Sequence, residues 1–174
     1  MSADRPAAEI RRIRSDEGLR LRALRLHALG NAPLAFGSNL AREEAFSDSV
    51  WHERATSGAS GAERATFIAE DNGRWVGMAT GVSHHPDGDD RSPMLIGMFV
   101  DPSQRGRGVG AALVERVTEW VRGLGAERLF LWATSTNRPA IALYERCGFA
   151  LTGETRPLDH TPSLREVLMV RSLR

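Results

Sequence analysis

The chain has 174 residues, 41% of them hydrophobic and 26% charged, which suits one soluble globular domain spanning 1–174. The formal net charge is +1, so no overall field draws it to nucleic acid or to an anionic membrane, and any pull on an anion must be local. Cys147 is the only cysteine, which excludes an internal disulfide; no stretch approaches ~18 apolar residues, and the N-terminal residues hold no apolar run of signal-peptide length, so a cytoplasmic location is expected.

In chain order, Glu9–Arg14 reads as a first strand. Asp16 is placed to cap a helix over Glu17–Leu29, with Leu21, Leu24, Ala28 and Leu29 as its apolar stripe and Gly30-Asn31 as its stop. Ala32–Gly37 is a turn, and Ser38 or Asn39 opens a second helix over Leu40–Thr56. Ser57–Ala62 is small and polar, hence a loop. The period then changes. Ala65–Glu70 and Arg74–Val82 read as a hairpin around Asp71-Asn72-Gly73. Ser83–Pro93 is a polar loop, and the apolar run Met94–Val100 fits a central strand buried on both faces. After the segment Asp101–Gly110, a helix over Val109–Arg122 turns Leu113, Val117, Trp120, Val121 and Leu124 to one side. Arg128–Ala133 is another strand, and Pro139–Cys147 a short helix ended by Gly148. Phe149–Gly153 and Glu166–Arg171 are closing strands separated by a loop near Pro157–Ser163. Such an order predicts a mixed α/β domain rather than a purely parallel sheet.

The segment Arg105-Gly106-Arg107-Gly108-Val109-Gly110-Ala111 lies between a buried strand and a helix. Glycines let successive backbone N–H groups point into one concavity, and the helix start adds free donors and partial positive charge. Arg105 and Arg107 can add charge from the rim, so a phosphate or pyrophosphate is the expected ligand. A purely structural turn is one alternative. A dinucleotide loop is another, since Gly106–Ala111 also fits G-x-G-x-x-G/A. That loop should follow its strand directly and be answered by an acid at the end of the next strand. Here residues 101–105 intervene, and Glu127 precedes the next strand. No Lys-Ser or Lys-Thr follows the glycines, so a Walker loop fails.

A second motif follows in TSTNRPAIALYERCGF: Asn137, Ala140 and Tyr144 at helical spacing, then Gly148-Phe149. A capped helix with a core tyrosine would also fit this segment alone. The two motifs in this order, each at a strand–helix junction, resemble the GNAT superfamily of N-acetyltransferases over about Arg74–Arg171. The resemblance implies a mixed, mostly antiparallel sheet of six or seven strands flanked by about four helices. It implies acetyl-CoA as co-substrate, with its pyrophosphate on Arg105, Gly106, Arg107, Gly108, Val109, Gly110 and Ala111. By the same resemblance, a backbone N–H of Met98 or Phe99 bonds the acetyl oxygen, the main chain to Val100 pairs with the pantetheine, and Asn137 and Ala140 line that arm. Tyr144, the one tyrosine, is then the catalytic residue that protonates or hydrogen-bonds the departing thiolate. No metal is implied.

Direct transfer needs a neutral amine, and an amine of pKa ~10.4 is neutral in roughly one molecule per few thousand at pH 7. Many relatives place a carboxylate on the central strand, but Met94–Val100 has none. Glu43, Glu44, Asp48, His84, His85 or a water chain are therefore the candidate bases. His84-His85 with Asp87, Asp89 and Asp90 lack the spacing of a preformed metal site. Cys147 has no Cys–His arrangement, and Trp51, Trp75, Trp120 and Trp132 read as core. The resemblance assigns substrate choice to Leu19–Arg54 and Arg156–Arg165. It leaves a small-molecule amine as the favoured acceptor, with a protein lysine or N-terminus, or a non-catalytic acyl-CoA-binding domain, as rivals. Dimers are frequent among similar proteins, so a homodimer is the expected assembly if one forms; nucleic acid and membrane are not expected partners.

Overall fold

The computed structural model describes residues 8–85 and 91–174. Its elements are β1 (Glu9–Arg12), α1 (Gly18–Asn31), α2 (Leu40–Glu44), α3 (Asp48–Ala59), β2 (Arg64–Asp71), β3 (Arg74–Val82), β4 (Met94–Val100), a 3-10 turn at Pro102–Gln104, α4 (Val109–Gly123), β5 (Arg128–Thr134), α5 (Arg138–Arg146), β6 (Ala150–Leu158) and β7 (Thr161–Ser172). The strands form one sheet in the order β1-β2-β3-β4-β5-β7-β6. Only β4 and β5 run parallel. The expected mixed, mostly antiparallel sheet is therefore present, with five α-helices around it.

Two apolar clusters cover the two faces. On one, Phe67, Val76, Leu95 and Leu131 of the sheet pack with Leu113, Val117 and Val121 of α4 and with Tyr144 of α5. On the other, Ile68, Met78 and Phe99 pack with Leu21, Leu24 and Leu29 of α1 and Trp51 of α3. The alternation of side chains along each strand produces this division. Glycine permits close approach in places: a Cβ at Gly58 of α3 would lie 2.7 Å from Thr66 Oγ1. The β2–β3 hairpin turns through Asn72 and Gly73, with φ of 51° and 78°, as a two-residue turn of that hand requires.

Several boundaries differ from the sequence expectations. Asp16 does not cap α1; Glu17 holds the N-cap position, and its carboxylate instead accepts from Arg11 and from the Arg14 N–H. Gly30 and Asn31 stay inside α1. The single helix over Leu40–Thr56 is two. Asn39 caps α2 through the Arg42 N–H, the chain breaks at Ala45–Ser47, and α3 restarts and runs on to Ala59. The break lets Phe46 lie against Trp51, with the Arg54 guanidinium over both rings. The loop expected near Pro157–Ser163 is a tight turn at Asp159-His160 between two longer strands. β6 is an exposed edge strand, where polar residues and Pro157 are tolerated because one side needs no ladder hydrogen bonds. Leu124 is exposed at the end of α4 rather than on its apolar face.

Candidate active site

Met94, Leu95 and Phe99 are buried, but Ile96, Gly97, Met98 and Val100 are only half-buried, so β4 is not enclosed along its whole length. Two features open it. The β3–β4 register shifts between Met78 and Thr80, and Gly97 takes a φ of +62°, which marks a bulge. On its other edge β4 pairs with β5 only at Met94↔Phe130. Beyond that point the two strands part.

The amides along the gap follow from register. The Asp101 N–H donates to the Val76 carbonyl at 2.8 Å, and Phe99 lies opposite Met78. Alternation then turns the Phe99 amide toward β3 and those of Met98 and Val100 toward the gap. The Val100 carbonyl accepts there from Arg105 Nε at 3.1 Å. Of the two candidates for the acetyl oxygen, Met98 therefore faces the gap. Phe99 does not; its ring packs edge-on to His27 in the opposite cluster.

At the end of β4, Asp101 accepts from the Ser103 N–H at 3.0 Å and its hydroxyl at 2.6 Å. The Ser103 bonds hold the Asp101 carboxyl below its ordinary pKa despite burial, with help from His27 and Arg74. Gln104, also buried, donates to Asp71 and accepts from Arg107 at 2.9 Å, tying the loop to the β2–β3 turn. Sequence reasoning passed over both anchors. An Asp before Pro-Ser is a readable cap signal, whereas nothing local marks Gln104. Gly106 and Gly108 have φ of +72° and +80°, and a Cβ at either would meet no atom within 4 Å. Among the described residues, no backbone N–H from Gly106 to Ala111 donates to a protein acceptor. The loop is thus an open row of donors at the start of α4. Val109 contributes only its N–H, since its side chain is buried in the core. Gly110 instead allows α4 to approach α5 closely, since a Cβ there would lie 2.9 Å from Leu143 of α5 and 3.4 Å from Met98.

Asn137 caps α5, its Oδ1 accepting from the Ala140 N–H at 3.3 Å, which leaves the amide NH2 as a donor. Ala140 is half-buried beside it. Tyr144 is buried in the cluster that includes Met98 and Val100, its ring edge-on to Phe149 at 5.9 Å. Burial, with Cys147 nearby, pushes the phenol pKa well above its ordinary value. The phenol therefore stays protonated and acts as a donor.

On the other face lies a cavity of about 360 Å³. Its floor is the period-two set Arg64, Thr66, Met78, Thr80, Ile96 and Met94, and it reaches Gly97 and Trp132 on the two sides of the β4–β5 gap. The segment at Leu34–Phe36 crosses one side, its carbonyls accepting from Thr134 Oγ1 and His160 Nε2. Of the candidate bases, only Glu43 and His85 line the cavity. Glu44, Asp48 and His84 are exposed elsewhere. Glu43 is 1% exposed and accepts from Arg25 Nε and Nη2 at 3.1 and 2.9 Å and from Arg54 Nη1 at 3.0 Å. Burial pushes its carboxyl up, but the two arginines outweigh that and hold it below the usual range. A carboxylate so paired is a poor base. Asp159 and Glu166, which the sequence pattern did not single out, also line the cavity. Asp87, Asp89 and Asp90 lie outside the described residues, among which no group of three His, Cys, Asp or Glu could hold a metal. No helix among them is long and apolar enough to cross a membrane.

A row of free N–H donors and an open strand edge thus lie on one side of a gap in the sheet, and a cavity on the other. The Acetyltransferase (GNAT) family matches residues 32–149, and the chain belongs to that family, whose acetyltransferases use acetyl-CoA. An uncharacterized N-acetyltransferase from Methanocaldococcus jannaschii is 33% identical over 89 residues, 50% of this chain and 39% of that protein. The aminoglycoside N(6')-acetyltransferase type 1 of Stenotrophomonas maltophilia is 34% identical over 105 residues, 58% of this chain and 69% of that protein. A protein from Salmonella typhimurium solved with its cofactor acetyl-CoA shares the fold, with a TM-score of 0.74 at 20% identity, covering 97% of this chain and 95% of that one. The chain spans only about a quarter to two fifths of the length of several curated relatives that it matches.

Proposed function

We propose that this chain transfers the acetyl group of acetyl-CoA directly to a primary amine on a small molecule held in the cavity beneath α1–α3. The observation that carries the reading is the parting of β4 and β5. It leaves the Met98 and Val100 amides unpaired between the glycine loop on one side and the cavity on the other. The pyrophosphate lies on the N–H row Gly106–Ala111, with Arg105 and Arg107 at the rim. The pantetheine runs along Val100, with Ala140 and the Asn137 amide beside it, and the Met98 N–H receives the acetyl oxygen.

The amine attacks the thioester carbon, and the Met98 N–H stabilises the oxyanion that forms. Collapse breaks the C–S bond, and the Tyr144 hydroxyl donates to the leaving sulfur. Its raised pKa favours a hydrogen bond, or proton transfer concerted with departure, over free ionisation. With the Glu43 carboxylate engaged by Arg25 and Arg54, the amine proton leaves through His85, Asp159 or water in the cavity. The tie between Leu34–Phe36 and the β6–β7 turn favours a small acceptor over a peptide, which needs an open groove. Calorimetric titration with acetyl-CoA, followed by thiol release across a panel of small amines and lysine peptides, tests this. Micromolar cofactor binding with turnover on small amines is expected. Absence of cofactor binding, or turnover on peptides alone, would refute it.

A further inference from the structure

The cavity is polarised along the sheet. Five arginines line it against three carboxylates. On the β7 side, Glu166 pairs with Arg156 at 2.7 Å, and Asp159 has no partner among the described residues. On the β2 side, Glu43 takes up Arg25 and Arg54. Arg64 is left over. It begins β2 on the cavity floor and is half-buried, and no side chain or carbonyl among the described residues accepts from its guanidinium. Burial disfavours its charge, and Arg54 and Arg25 add like-charge repulsion. A guanidinium cannot shed its proton near neutral pH, and its five donors form a rigid fork matched to oxyanions. Trp51, in the same wall, has a buried indole N–H with no acceptor. The cationic group also reaches the reaction centre: Arg25 Nη1 lies 3.8 Å from where a Gly97 Cβ would sit, one residue before Met98.

We propose that the acceptor is a small primary amine that also carries an oxyanion, a carboxylate or a phosphonate, and that Arg64 is the specificity residue that binds it. The proposal rests on the cavity being the acceptor site. The amine then lies toward Asp159 and Glu166, and the anion toward Arg64. Polycationic amines are disfavoured by the same surplus charge.

Purified chain is assayed for thiol release with α-amino acids, ω-aminoalkanoic acids and aminoalkylphosphonates. Each is compared with its carboxamide or ester, and an aminoglycoside is included. The anionic member of a pair is expected to exceed its neutral partner by roughly 10- to 100-fold in kcat/KM, the worth of a charge-assisted hydrogen bond. Arg64→Met should erase that preference by slowing the acids alone, and Arg64→Lys should restore part of it. The Tm of Arg64→Met should equal or exceed that of the wild type, since an unpaired, desolvated charge is removed. Calorimetry of the N-acetylated acids, without cofactor, reads the same subsite independently. Neutral amines or aminoglycosides matching the acids, or Arg64→Met slowing both members equally, would overturn the proposal while leaving the transferase reading intact. Acids that bind through Arg64 in a chain that takes up no acetyl-CoA would sink the transferase reading and leave this one standing. Binding of neither would sink both.

Discussion

Replacing Glu43 by glutamine keeps the shape of the side chain and removes its charge. Three hydrogen bonds from two guanidiniums converge on this one buried carboxylate. Neutralising it leaves Arg25, Arg54 and Arg64 facing one another without a counter-ion. Breaking a buried ion pair by removing one partner costs about 3–5 kcal/mol. Arg25 and Arg54 keep some solvent, with side chains 15% and 31% exposed, so about 2–4 kcal/mol is expected here. For a chain of this size that is a drop in Tm of roughly 5–15 °C. The pH dependence has a definite sign. The folded pKa of Glu43 lies below its unfolded value, so its stabilisation is complete above the ordinary glutamate range. It is lost as pH falls through that range toward the folded value. Glu17, Asp101 and Glu115 are depressed in the same direction, so the informative quantity is the difference between wild-type and variant melting curves across acid pH. That difference should shrink as pH falls. Adding Arg64→Met to Glu43→Gln should recover part of the loss, because one of the stranded cations is gone. The measurements are urea and thermal denaturation. A Glu43→Gln variant within about 0.5 kcal/mol of wild type, the range of an ordinary surface change, would refute the reasoning. Full stability with turnover abolished would return Glu43 to the role of base.

Gly108→Trp should abolish acetyl-CoA binding, because it fills the open cradle and forces a bulky residue to a φ of +80°; unchanged affinity by calorimetry would remove the loop from the cofactor site. Tyr144→Phe should lower kcat by roughly 10²- to 10⁴-fold with little change in cofactor affinity, and a wild-type rate would reduce Tyr144 to packing. Gly77→Ala should destabilise by about 1–3 kcal/mol, since its Cβ would lie 2.9 Å from the Phe99 carbonyl oxygen and 3.1 Å from Leu113; a neutral change in urea midpoint would show that β3 and β4 can separate freely.

What the sequence made legible was local. Positive-φ glycines at 106 and 108, the Asn137 cap and the two-residue hairpin at Asn72-Gly73 each solve a problem within a few residues, so type and spacing expose them. The split between α2 and α3 was hidden because helical periodicity continues across Ala45–Ser47 while the packing of Phe46 on Trp51 does not. β6 was underestimated because an edge strand is polar on both faces and carries no apolar alternation, and the interior strand β7 because its first residues, Thr161–Arg165, are mostly polar and not buried. The pairing of Glu43 with Arg25 and Arg54, and the solitude of Arg64, join residues from α1, α2, α3 and β2. No sequence spacing reports which half-buried guanidinium of the cavity will lack an acceptor.

The glycine loop and Tyr144 lie on the α4–α5 face of the sheet, and the cavity on the α1–α3 face. A continuous sheet would keep donor and acceptor apart, because its ladder occupies every amide between the faces. The bulge at Gly97 and the single β4–β5 register pair interrupt that ladder at one place. The interruption exposes the Met98 and Val100 amides, which a buried strand could not leave unpaired without a ligand to satisfy them. On the proposed reading, the same defect supplies both the passage through the sheet and the hydrogen bonds that guide what enters it. Closing it should uncouple cofactor binding from transfer. A residue at Gly97 that cannot hold a φ of +62° would straighten β4 and turn the Met98 amide away from the gap, while the N–H row at Gly106–Ala111 stays intact. Gly97→Val is therefore expected to retain acetyl-CoA affinity to within about tenfold and to lose turnover by more than a hundredfold, roughly the worth of one oxyanion donor. Calorimetry and thiol release on the same preparation decide it, and parallel losses in both would show that the bulge serves folding alone.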